Sequence, residues 1–477
     1  MKRLLLALCC LTALTASAEQ PATYFLGGDL SMATYVEDWG AKFYYKDGTQ
    51  GDLFDILQTY GVNLARLRLY YQPGTPVQLW NKDESKYDSY RTPVLSPKNN
   101  WKGAEYAGEK DILSLAKRAK DHKMAICLSI YLSDYWAGAA EQFIPAAWST
   151  ATTLEALGDS VTNYVTRVMT HMQEQGTTPE FVSVGNETNY GILFNKDKNT
   201  TFVDFGGHTT KNGINNTVYL FNKAYDAIKA VSPTSQVIIH NSYGHQGKIS
   251  QCRSFFKSLV DNGCKFDIVG GSYYPYWASE QGASDQTPTG MLTWAKDMED
   301  NIHKPVMIME VGYSWNPYRS SGRNGGNYEG QLHLNGTHYN EASEDGQAAF
   351  MKQLHDAIAT DDNILGYMYW DPIFVDQLSS AGSWWIKTCW AEKYSGSGDT
   401  WWEAGNVVSN TTLFDFTGMP LKALYEEIYS RKPEDKPTSV EDPVTRNPYP
   451  VTDKLLLDGQ LFIRHNNTLY NLFGQAL

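Results

Sequence analysis

The chain has 477 residues, 42% of them hydrophobic, 13% aromatic and 19% charged, with a formal net charge of −13. That length suits one large barrel-type domain with appendages or two to three ordinary domains, and the apolar fraction is ample for a packed core, which excludes a disordered chain. The acidic balance disfavours nonspecific binding to nucleic acid or anionic lipid, while 14 Trp, 31 Tyr and 18 Phe supply rings of the kind that stack on sugar faces.

At the N-terminus, Lys2 and Arg3 precede an apolar run from Leu4 to Leu14, and Ala16-Ser17-Ala18 offers a small-residue cleavage site. Residues 1–18 read as a signal peptide, so the protein is expected to be exported: extracellular, at the cell surface or periplasmic. A lipid anchor on Cys9 or Cys10 is the weaker alternative, because Leu8 is bulky and the segment before it is short. The apolar run is too short to span a bilayer, and no other stretch approaches the roughly 20 residues that a transmembrane helix needs. A monomer is expected.

Between residues 22 and 431, short apolar runs alternate with helical patterns. The runs are 24–29, 63–70, 123–131, 180–186, 236–241, 266–272, 305–311 and 364–371, and their continuous apolar character fits parallel strands covered on both faces. A helix over 52–60 ends at Gly61; a second over 153–175 carries Leu154, Leu157, Val161, Tyr164, Val168 and Met172 on one face; a third covers 345–360. Eight strand–helix units in one domain over 19–431 predict a (β/α)8 barrel with long βα loops. A doubly wound sheet is the alternative, but the glycine-rich nucleotide turn that often marks one is missing.

Cys127 lies inside an apolar run and reads as a buried thiol, whereas Cys252 and Cys264 could pair in an oxidising compartment, a connectivity that sequence leaves open. No Cys/His cluster suggests a metal. Residues 432–453 carry five prolines and read as a linker, followed over 454–477 by short strands joined at Asp458-Gly459 and Asn466-Asn467. That tail is similar to C-terminal sorting segments of some exported Gram-negative proteins, or else a small appendage of the main domain.

In a (β/α)8 barrel the chemistry belongs at the C-terminal ends of the strands. Glu187 and Glu310 end the fourth and seventh runs, where an ionisable group is costly without a partner or a task. A structural ion pair with Arg66 or Arg68 explains one such glutamate readily and two less so. Two carboxyls across a barrel mouth suit glycoside hydrolysis, Glu187 or Glu310 protonating the leaving oxygen while the other attacks the anomeric carbon; in retaining enzymes the carboxyls stand about 5–5.5 Å apart. Arg66 and Arg68 share the inward face with position 64 and would keep a nucleophile ionised. Asn186 suits a sugar 2-hydroxyl, Trp370 a sugar face, and a tyrosine from the sixth strand a hydrogen bond to the same carboxylate.

At these residues the chain resembles glycoside hydrolase family 53, the endo-β-1,4-galactanases. The matching segments include GGDLS (27–31), EDWGAKFYYKDG (37–48), SDYWA (133–137), SVGNETNYGIL (183–193), FDIVGGSYYPYW (266–277), KPVMIMEVGYSW (304–315), YWDP (369–372) and LFDFTGMPLKAL (413–424). The resemblance implies Glu187 as acid/base and Glu310 as nucleophile, Asn186 as the 2-hydroxyl contact, Arg66 beside the nucleophile with Arg68 as its neighbour, Tyr274 or Tyr273 as the strand-six tyrosine, His240 as the strand-five histidine and Trp370 as a subsite ring. Ser133, Asp134, Trp136 and Trp277 join the expected substrate-binding set. The substrate implied is a β-1,4-linked galactan or galacto-oligosaccharide, such as the pectin side chain, with no cofactor. Bacterial relatives can hold a structural calcium in the long loops, whose ligands have no match here. One departure is Tyr131, where the family usually has histidine. Another β-linked plant polysaccharide, or a glycan-binding protein on the same scaffold, remain as alternatives.

Overall fold

The computed structural model describes residues 24–432 apart from 39, 74–79, 82–85, 88–105, 135–136, 140–141, 143, 195–202, 204–210, 318–341 and 376–407, together with short strands between 452 and 470. Eight parallel strands close a barrel: β1 Phe25–Asp29, β2 Leu64–Leu69, β3 Ala125–Ile130, β4 Phe181–Val184, β5 Gln236–Asn241, β6 Ile268–Tyr273, β7 Val306–Val311 and β8 Ile364–Tyr369. Each pairs with its sequence neighbours, and β8 pairs with β1 (Phe25 opposite Gly366), so no edge is left open. These strands coincide with the eight apolar runs. Their outward residues, such as Leu67, Leu69, Ile126 and Leu128, join the large core beneath the helices, and their inward residues fill the barrel.

Besides the short helices Ala33–Asp38 and Pro275–Glu280, the described helices include α1 Leu53–Thr59, α2 Glu109–Asp121, α3 Leu154–Glu174, α4 Lys211–Val231, α5 Ile249–Asp261, α6 Pro288–Ile302 and α7 Glu344–Ile358, with a π-helical segment Ala423–Ile428 after β8. Local chemistry sets their starts. The Asp52 carboxylate accepts from the Phe54 and Asp55 amides, and the Thr153 hydroxyl accepts from Ala156 N–H; such caps are each worth about 1 kcal/mol. On α3, Leu157, Val161, Tyr164, Val168 and Met172 are all buried, as their spacing requires. Close packing of α6 on β6 depends on Gly271, where a Cβ would sit 2.5 Å from the Trp294 ring.

Inside the barrel, polarity changes with height. The lower layers hold Leu64, Cys127, Phe181, Ile238, Ile268, Met307, Met309 and Met368. Two residues further along their strands stand Arg66, Ser129, Ser183 and His240, all with no exposed surface. Period-two alternation along each strand carries this switch from a packed apolar floor to a polar mouth.

Cys127, Cys252 and Cys264 are free thiols, so the Cys252–Cys264 pairing is not made; Trp294 Nε1 instead donates to Cys252 Sγ at 3.3 Å. In the tail, Thr452–Leu457, Gln460–His465 and Thr468–Tyr470 form an antiparallel sheet, with Leu457 paired to Gln460 and His465 to Thr468, and the expected joins at 458–459 and 466–467 lie outside the described residues. Residues 1–18, expected to be a signal peptide, most of the Pro-rich stretch, Trp136, Cys389 and the tryptophans of 376–407 lie outside the described residues. No helix among the described residues is long and apolar enough to cross a membrane.

Candidate active site at the barrel mouth

Simple alternation along β7 would turn Glu310 outward, because Met307 and Met309 already face the barrel interior. A bulge prevents this. The pairing of β6 with β7 runs Gly271–Ile308 and then Ser272–Glu310, leaving Met309 as the extra residue and rotating Glu310 into the mouth. Re-aiming a side chain is a recognised use of such a bulge.

Arg66 on β2 meets Glu310 there. Its Nη1 donates to Glu310 Oε1 at 2.7 Å and to the Met309 carbonyl at 3.2 Å, its Nη2 to Asn186 Oδ1 at 2.7 Å, and its Nε to Ser129 Oγ at 3.1 Å. The other Glu310 oxygen accepts from the Tyr274 hydroxyl at 3.1 Å. Burial pushes the Glu310 carboxyl above its ordinary value, and Arg66 and Tyr274 pull it back. Burial works against the Arg66 charge, but the Tyr131, Glu310 and Asp29 side chains together hold it above its usual range. Tyr274, raised by burial and then by Glu310 and Glu187, stays protonated and donates.

Glu187 follows β4 in a left-handed conformation, φ 50°, after Gly185 at φ 75°. A non-glycine residue there costs roughly 1–3 kcal/mol and persists only when its surroundings over-determine it. They do: Thr188 donates to the His240 carbonyl through N–H at 2.7 Å and Oγ1 at 3.1 Å, and Glu187 N–H points at His240 Nδ1 at 3.4 Å. The turn leaves Glu187 half-buried, with Ser272 Oγ 2.8 Å from its Oε1. His240 is fully buried, and burial followed by the nearby Arg66 charge holds it neutral, well below its ordinary range.

One carboxylate oxygen from each glutamate and a ring nitrogen of His240 all lie within 4.8 Å of one another. Both His240 nitrogens, Nδ1 beside Glu187 N–H and Nε2 beside Ser272 Oγ, and both Glu310 oxygens are already committed to protein partners, so the trio is built for hydrogen bonding rather than for a resident cation. Two carboxyls this close fit the retaining spacing of about 5–5.5 Å and fall short of the roughly 6.5–9.5 Å that an inverting pair needs to admit water.

Over residues 25–426, the chain matches the sequence profile of glycosyl hydrolase family 53. The chain belongs to that family. A protein of Cellvibrio japonicus named arabinogalactan endo-beta-1,4-galactanase is 28% identical over 401 residues, 83% of this chain and 87% of the relative. One of Bacillus subtilis named endo-beta-1,4-galactanase is 26% identical over 414 residues, 84% of each chain. The Ignisphaera aggregans family 53 catalytic domain superposes with a TM-score of 0.65 at 24% identity, covering 86% of this chain and 96% of that one, and shows the same fold. As a member of family 53, the protein is a glycoside hydrolase.

Within this family 53 mouth the other expected residues are placed unevenly. Arg66, Asn186, Glu187, His240, Tyr274 and Glu310 come together. Tyr274, Trp277 and Trp370 form an aromatic cluster beside them, the Tyr274 and Trp277 rings 4.9 Å apart and nearly perpendicular. Tyr273 does not join it. That ring is fully buried on the outer face, its hydroxyl donating to the Gln286 carbonyl at 2.7 Å, which corrects its expected place beside the sugar and leaves Tyr274 as the strand-six tyrosine. Arg68 does not reach Glu310; it pairs with Asp371 at 2.6 Å and Asp29 at 3.2 Å beneath the Trp370 ring, 4.4 Å from its guanidinium. Asp134 is buried and holds the Ala146 amide at 2.7 Å, and Ser133 is buried beside it, accepting from the Tyr71 amide through its carbonyl. Tyr131, in the family's histidine position, is fully buried with its hydroxyl 3.5 Å from Arg66 Nη2. Asp29, Ser272 and Asp371 stand at strand ends in the sequence without a role assigned to them; for Ser272, the inward parity of Ile268, Gly270 and Ser272 on β6 is the signal that marks it.

Proposed function

We propose that this protein is an exported, endo-acting, retaining hydrolase of β-1,4-galactan, with Glu187 as acid/base and Glu310 as nucleophile. The observation that carries the reading is the pair of carboxyls within 4.8 Å across the mouth, held in unlike environments: Glu310 is buried between Arg66 and Tyr274, and Glu187 is half-buried on a strained turn. The names of the galactanase relatives support the glycan, and the basic, apolar and small-residue pattern of residues 1–18 supports export.

In the first step Glu187 gives its proton to the glycosidic oxygen as Glu310 bonds to the anomeric carbon and the C–O bond to the leaving chain breaks. In the second, Glu187 takes a proton from water, the water oxygen bonds to that carbon, and Glu310 departs as a carboxylate. Asn186, fixed by Arg66, stands beside the pair for the sugar 2-hydroxyl.

The test is digestion of purified galactan beside mannan, xylan and β-glucan, with oligosaccharide analysis. A ladder of galacto-oligosaccharides from galactan is expected. Their absence sinks the substrate assignment, and binding without any product points to a glycan-binding role. Mature protein beginning at Glu19 supports export, whereas retention of residues 1–18 on the cell-associated protein speaks against it.

A further inference from the structure

Ser272 is the penultimate residue of β6 and is 2% exposed. Its Oγ lies 2.8 Å from Glu187 Oε1 and 2.9 Å from His240 Nε2. A hydroxyl has one proton, so it donates to one of these neighbours and accepts from the other. Neutral His240 likewise donates from one nitrogen and accepts at the other.

The direction follows from the groups around Nδ1. The Glu187 backbone N–H points at it from 3.4 Å, and Asn186 Oδ1 lies 3.2 Å away. Asn186 already has its amide fixed, Nδ2 donating to the Ala137 carbonyl at 2.8 Å and Oδ1 accepting from Arg66 Nη2 at 2.7 Å. A proton on Nδ1 could reach the second lone pair of Asn186 Oδ1, but it would set the Glu187 amide against another donor and turn the Ser272 hydroxyl away from Glu187. A proton on Nε2 satisfies three donors in sequence: Glu187 N–H to Nδ1, Nε2–H to Ser272 Oγ, and Ser272 O–H to Glu187 Oε1. Leaving a buried donor unpaired costs about 1–3 kcal/mol, which selects the second arrangement.

We propose that Ser272, oriented by His240, is a positioning residue that donates to Oε1 of Glu187 and thereby assigns the transferable proton to Oε2. The inference rests on the acid/base role proposed for Glu187. Oε1 remains an acceptor in both half-reactions, so the proton leaves from and returns to one oxygen. Among the described residues, the other ionisable groups that face Glu187 include Tyr274 just after β6, Tyr243 from the loop after β5 and Glu310 from β7, with Arg66 behind Asn186. None of these is altered by removing the serine hydroxyl.

A hydrogen bond to an ionised acceptor is about twice as strong as one to its neutral form, so Ser272 favours the Glu187 carboxylate. Ser272→Ala should move the alkaline limb of the kcat/KM–pH profile on galactan upward by roughly half a pH unit or more, with Ser272→Cys, a weaker donor of similar size, in between. The rate loss caused by Ser272→Ala should disappear when it is placed in a Glu187→Ala background assayed with azide and an activated substrate, because both changes remove the same interaction. A limb that stays or moves down in the folded variants overturns the proposal, as does a full additional loss in the Glu187→Ala background. Failure of the underlying reading looks different: Glu187→Ala alone would then keep its activity on galactan and form no azide adduct.

Discussion

Arg66 holds Glu310 and Asn186 with different nitrogens of one guanidinium, each at 2.7 Å and without exposed surface on the arginine. A planar fork fixes the angle between its two acceptors, which a point charge on a flexible stem does not. Arg66→Lys should therefore keep a positive charge yet lose this alignment, lowering kcat/KM on galactan about 100-fold. The sign of the pH effect follows from the burial of Glu310. Arg66 opposes an upward push on that carboxyl, so weakening the contact raises it further and moves the acid limb of kcat/KM to higher pH. A rate–pH profile of the variant checks this; an unmoved acid limb would separate Arg66 from the ionisation of Glu310.

The two glutamates should respond differently to truncation. With Glu310 as the proposed nucleophile, Glu310→Gln removes the attacking oxygen, and turnover should fall by about five orders of magnitude while galacto-oligosaccharide binding, read by calorimetry, survives. Glu187→Ala leaves the nucleophile, so an activated aryl glycoside should still load the enzyme, and azide should then accelerate turnover and appear in a β-configured product. An α-configured azide would mean inversion and contradict carboxyl oxygens that approach within 4.8 Å of each other.

The barrel was legible because buried parallel strands announce themselves as apolar runs, and the two glutamates because carboxyls at the ends of such runs are chemically out of place. What stayed hidden depends on backbone detail. Nothing in Val-Met-Ile-Met-Glu-Val marks Met309 as the bulged residue, yet that bulge turns Glu310 inward. Tyr273 and Tyr274 are adjacent and chemically alike, so only strand parity tells the one on the outer core from the one on Glu310. The left-handed residues at the mouth, Leu132, Glu187 and Asp371, are not of the glycine type that normally signals such a turn. Arg68 was readable as inward-facing but not as the partner of Asp371, a residue 303 positions away.

The thiols give an independent check on packing. Burial pushes the Cys127, Cys252 and Cys264 thiols up to about 12, so little thiolate is present near neutrality. Iodoacetamide should leave these three unlabelled in the native protein and label all three after unfolding without reductant, as read by peptide mass spectrometry. A linked Cys252–Cys264 peptide under those conditions would contradict the free thiols.

The charge cluster beneath Trp370 should leave a mark on stability. Asp29, Glu310 and Asp371 surround Arg66 and Arg68, so three buried carboxyls share two guanidiniums. Burial pushes Asp371 up to about 7 from 3.8, against the pull of Arg68, with Asp29 and Glu310 adding to the rise. Over that window the folded protein holds a proton that the unfolded chain has released, so this group's contribution to stability declines as pH rises from about 4 to 7 and is level below it. Asp371→Asn removes the titration but keeps an acceptor for Arg68. Its thermal midpoint should therefore fall less steeply than that of the wild type between pH 5 and 7, the two curves running parallel above pH 8. Parallel curves across the whole range would show that Asp371 keeps its charge and that the excess proton sits elsewhere in the cluster.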